Sequence, residues 1–140
     1  MRVMVMIKAS AASEAGVMPD TELLEAMGNF NEELVDAGVM VSGEGLLPSA
    51  SGKRIAFDGE QRTVIDGPFE HTSELVAGFW IWEVADMDEA VAWMQRCPSP
   101  MPGTSEVELR PIFEMDDFGD AMTDELRDQE TRLRDQLADG

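Results

Sequence analysis

GFWIWEV, residues 78–84, is the stretch that decides the fold. It holds two of the chain's three tryptophans, and alternate side chains of a strand point to opposite faces. One face then carries Phe79 and Ile81, the other Trp80, Trp82 and Val84, so both are apolar. RVMVMIK, residues 2–8, repeats the pattern, with Val3, Val5 and Ile7 on one side and Met4 and Met6 on the other. A sheet built from such strands needs cover on both sides.

The remaining elements arrange themselves around these strands. Pro19-Asp20-Thr21-Glu22 supplies a helix start with acids near the positive end of the dipole. Leu23, Met27, Phe30 and Leu34 recur at helical spacing, and Gly38 is placed to end the helix. The segment before it, ASAASEAGVM, is small and polar and reads as a loop. VMVSGEGL, 39–46, is a strand interrupted by glycines. KRIAF, 53–57, and RTVID, 62–66, flank Asp58-Gly59, a dipeptide typical of tight hairpins. Asp86 and Glu89 stand as a capping pair before a second helix. Met87, Val91 and Met94 line one face of it beside Ala90 and Trp93, and Pro98 stops it. PSPMPG, 98–103, is a stiff turn, and VELRPIF, 107–113, makes a last strand.

The order β-α-β, hairpin, β-α-β predicts a ferredoxin-like α+β sandwich, one antiparallel sheet with both helices on one face. Soluble proteins avoid leaving the second face in water when it is apolar. The expected cover is a second copy packed sheet against sheet, a homodimer with a cavity between or beside the sheets. The competing cover is the C-terminal helix swung across. Residues 1–114 form the α+β domain on this reading, and 115–140 an acidic helical extension with a stripe of Met122, Leu126, Leu133 and Leu137. Asp128/Arg132 and Glu130/Arg134 are four apart with the acid first, the favourable order. The extension reads as a solvated helix docking along one seam, with contact to a protein partner as the alternative.

The charge, 29 acids against 10 bases and a net −19, argues against nucleic acid as a partner. No apolar run reaches the length a bilayer requires, and the N-terminus lacks the charge and apolar core of a secretory signal. The chain reads as cytoplasmic, with no membrane partner. A single cysteine, Cys97, excludes an internal disulfide, and a single histidine leaves too few ligands for a metal site. GEG at 43–45 is not a dinucleotide motif, so no cofactor is implied.

Asp66-Gly67-Pro68-Phe69, between a hairpin and an aromatic strand, resembles the signature of the YCII-related proteins, and more narrowly their DGPF branch. DAGVMVSGEGLLP, GFWIWEVADMDEAVAW and VELRPIFE match as well, so the resemblance covers most of residues 1–114. It implies a dimeric α+β barrel and a role as a small-molecule enzyme or binding protein, some relatives being associated with sigma-factor-like regulators. Members usually carry an acid and a lysine where this chain has His71 and Ser73, while Thr72 and Glu74 keep the pattern. The histidine–aspartate dyad of shorter relatives has no counterpart, because the first helix holds no histidine.

Asp66 has two readings, a carboxylate bonding amides of its own turn or a rigid base or substrate anchor at a cavity rim. His71 is either an exposed loop residue or a proton carrier beside Asp66 or Glu70. Glu44, between two glycines, marks a bulge or a ligand contact, and Arg110 a surface charge or an anion anchor. Together Glu44 and Arg110 would make a polar pair lining the cavity. Trp80 and Trp82 are core residues or the walls of a site for a flat apolar ligand. Lys53 and Arg54 guard a hairpin edge. The leading expectation is a homodimer binding a small organic molecule, with lyase- or isomerase-type proton transfer or elimination as its chemistry. The alternative is a non-catalytic regulatory interaction module.

Overall fold

The computed structural model describes residues 1–140. Four strands, β1 (Arg2–Lys8), β2 (Met40–Gly45), β5 (Val76–Glu83) and β6 (Val107–Pro111), form one antiparallel sheet in the order β2-β5-β1-β6. The hairpin strands β3 (Lys53–Asp58) and β4 (Gln61–Asp66) make a separate two-stranded sheet. Helices α2 (Thr21–Asp36) and α3 (Met87–Gln95) pack on one face, giving the predicted ferredoxin-like α+β arrangement.

The register explains the core. Val3 faces Trp82 and Val5 faces Trp80, and all four are buried with Phe30 and Leu34 of α2 and Ala90 of α3. Phe30 meets Trp80, Trp82 and Trp93 edge-on at 6.0–6.4 Å, the arrangement aromatic rings prefer. On α3 the buried face runs through Ala90, Met87, Trp93 and Met94, while Val91, expected there, is 40% exposed. Gly43 is required by this packing, since a Cβ there would lie 2.5 Å from Trp80 Cδ1.

The helix ends follow the sequence signals. Asp20 caps α2 by accepting from Leu23 N–H at 2.8 Å. At the other end Gly38, at φ +72°, lets Val39 and Gly38 N–H bond back to Leu34 and Val35, a Schellman close. Asp86 caps α3 through Glu89 N–H, and Glu89 answers on Ala85 N–H at 2.6 Å. One segment departs from expectation. Ala11–Glu14, read as loop, is a single helical turn, α1, closed by a reciprocal Ser10/Ser13 box.

Past β6 the chain makes a three-ten turn, Met115–Ala121, kinked at Gly119, and then α4 (Asp124–Asp139). α4 buries no residue, and Leu126, Leu133 and Leu137 of its expected docking stripe stay exposed, while Glu130 and Arg134 line a shallow pocket with Arg2, Phe113 and Phe118. Glu130 pairs with Arg134 at 2.7 Å as expected, whereas Asp128 and Arg132 form no ion pair.

Candidate functional site

The residues singled out from the sequence do not converge. Asp66 ends β4, pairs with Lys53 Nζ at 2.5 Å and is 74% exposed, so it neither bonds its own turn nor lies in a cavity. His71 is exposed and holds φ +65°, the only residue besides glycine at positive φ. Trp80 and Trp82 are buried on the helix-covered face, and Trp80 Nε1–H donates to Asn31 Oδ1 at 2.9 Å. Within one chain the expected Glu44–Arg110 pair does not form. The strand order puts the two on opposite edges of the sheet, three strand spacings or about 14 Å apart. Arg110 bonds Glu108 instead, at 3.2 Å.

What the fold does bring together lies beside the sheet, at the root of the hairpin. A pocket of about 530 Å³ opens between α1, the loop from Gly45 to Gly52, the first residues of β3, Phe69 and the start of β5. Its frame is a relay of hydrogen bonds. The Glu14 carboxylate accepts from Ser49 N–H at 2.9 Å and from Ser49 Oγ–H, and Ser49 Oγ accepts from Phe69 N–H at 2.9 Å. Gly67 N–H donates to the carbonyl of Gly52 at 3.0 Å. Backbone contact is so close here that a Cβ on Gly67 would lie 1.8 Å from Ser49 O. The Asp-Gly-Pro-Phe turn, which contains a cis Gly67-Pro68 bond, is therefore pressed against the Ser49–Ser51 turn.

The lining combines three kinds of group. Glu14 is a half-buried carboxylate, with Ser49 occupying two of its roughly four acceptor positions. Arg54 lies 4.0 Å over the Phe69 ring, a cation–π contact that turns a supposed edge guard into a wall. Lys53 joins them, with Asp66 reaching the rim only through it. Leu46, Leu47 and Leu75 supply apolar surface. Such a lining can hold a small organic molecule by its body and orient one anionic or carbonyl group. Sequence reasoning missed Glu14 and Ser49, because thirty-five positions separate them and a one-turn helix leaves no periodic trace.

The open face of the sheet is the second feature. Its rows read Glu44–Phe79–Met6–Glu108 and Ser42–Ile81–Met4–Arg110. The apolar centre is only half covered, and the edges are polar. Cys97 packs against the core on the helix side, and burial pushes its thiol up to about 11.

The sequence model of the YCII-related domain matches residues 1–116. An uncharacterized protein of Rhizobium meliloti (strain 1021) is 26% identical over 93 residues, covering 66% of this chain and 75% of its own.

Proposed function

The chain belongs to the YCII-related family, and on that premise we propose that it is a homodimeric small-molecule-binding protein whose site is the pocket at the hairpin root. The observation that carries the reading is the Glu14–Ser49–Phe69 relay. It fixes a carboxylate, an aromatic ring and, through the ring, a guanidinium around one pocket. Asp66–Phe69 fits the DGPF branch, and its turn works here as the clamp that sets Phe69. Acid–base chemistry on this plan centres on Glu14, with Arg54 and Lys53 stabilising negative charge on a carbonyl-bearing or carboxylate ligand. Asp66 holds Lys53 in place from the rim through their ion pair.

Homodimerisation is supported by the open face, whose apolar centre and polar border have the anatomy of an association surface. The test is calorimetric titration with a panel of small aromatic and carbonyl acids. Saturable binding should be lost in Phe69→Ala and weakened in Arg54→Ala, and kept in Glu44→Gln. Binding that survives Phe69→Ala, or disappears in Glu44→Gln, removes the pocket from consideration.

A second reading has one observation in its favour. α4 leaves Leu126, Leu133 and Leu137 exposed along a single stripe, as a helix awaiting a protein partner would. Comparing the full chain with one lacking residues 115–140 separates the two, since ligand binding by the pocket should survive the deletion.

A further inference from the structure

The β3–β4 hairpin is the most exposed ordered part of the chain, with every residue of both strands open to solvent. An isolated two-stranded sheet is marginal in water, so an ordered hairpin needs a neighbour. Its two faces differ. One carries the directly opposed pair Ile55–Val64, with Phe57–Arg62 toward the tip and Lys53–Asp66 at the root. Ile55, Phe57 and Val64 are 54%, 72% and 61% exposed. Arg62 lies 4.4 Å over the Phe57 ring and donates to the carbonyls of Gly59 and Gln61, which stiffens the tip. The other face is mostly polar, with Arg54, Ala56, Thr63 and Gln61 around Ile65.

We propose that this hairpin is an arm that clasps a second copy of the chain, with Ile55, Phe57 and Val64 as its gripping face. The inference rests on the homodimer reading and adds to it. Area is the first argument. Four strands about 4.8 Å apart and about five residues long give the open face a footprint of roughly 300 Å², and doubling it for side-chain relief still falls short of the ~800 Å² per partner of a stable interface. Another surface must contribute, and the hairpin begins where β2 ends and β5 starts, at the end of the sheet nearest the Glu44–Phe79 row.

Charge is the second argument. A copy carrying −19 repels its like, so contact belongs where the acids are balanced. On the hairpin Lys53, Arg54 and Arg62 offset Asp58, Glu60 and Asp66. With Arg2, Lys8 and Arg110 of the sheet strands, six of the chain's ten bases lie on these two surfaces.

The test uses the full chain, by sedimentation over a dilution series and by amide hydrogen exchange at the two ends of that series. The double variant Ile55→Glu/Phe57→Glu should dimerise at least about tenfold more weakly than the natural chain, the effect of losing one well-buried anchor or more. Hairpin amides should become better protected as the natural chain is concentrated, a readout that holds even if the variant fails to fold. A natural dimer whose hairpin exchanges equally at all concentrations overturns the arm and spares the dimer. So does a variant that dimerises normally while Ile81→Arg does not. A natural chain that stays single at every concentration overturns both.

Discussion

Val3, Val5, Trp80 and Trp82 point from β1 and β5 to one side and vanish beneath α2 and α3. Met4, Met6, Phe79 and Ile81 point from the same two strands to the other side and stay half covered. Both sets are apolar, and only their surroundings differ. The contrast teaches that the covered face holds the single chain together, while the open face and the hairpin would draw further stabilisation from the association proposed above.

The largest effect should come from the covered face. Trp82→Ala empties the largest fully buried side chain and should destabilise the fold by about 3–5 kcal/mol in urea unfolding. If Ile81→Ala is equally damaging in dilute solution, the two faces are equivalent and the contrast fails. Next comes the clamp beside the pocket. Gly67→Ala forces a methyl toward Ser49 O and should lower stability by about 1–3 kcal/mol, with ligand binding lost alongside. Ile81→Arg, by contrast, should leave the unfolding of dilute protein within about 0.5 kcal/mol of normal and abolish self-association in sedimentation. Tryptophan quenching will not report that change, because Trp80 and Trp82 are already hidden in one copy.

The smallest effect concerns Cys97, which packs on the covered side. Its thiol ionises near 9.0 when free and about 11 in the fold, so alkylation at neutral pH should be much slower in native protein than in urea-unfolded chain. The unfolded chain releases this proton first. The stability tied to the buried thiol is therefore complete below pH 9.0 and is lost as pH rises toward about 11. Equal alkylation rates in native and unfolded protein would place the residue outside the covered layer.

Much of the fold was legible because its signals are local. Caps at Asp20 and Asp86, the stop at Gly38 and the alternation in β1 and β5 each need only a few neighbouring residues. Alternation is symmetric, however, so it shows two apolar faces without saying which one the helices choose. Within one chain Glu44 and Arg110 stay apart for a related reason. Glycine neighbours and strand parity place both on the open side, but sheet order sets the distance between them. Glu14, Ser49 and Phe69 come from three separated segments, and their meeting depends on backbone contact at Gly67, where the telling feature is a missing side chain.

That contact has a mechanical consequence. The hairpin reaches outward about 20 Å, six residues at roughly 3.3 Å each, from a root formed by Lys53, Arg54 and the Gly67 turn. Over such a lever a 10° swing at the base carries the tip about 3 Å. Since Lys53 and Arg54 belong to both the pocket wall and the fulcrum, any shift of that side of the cavity re-aims the far end.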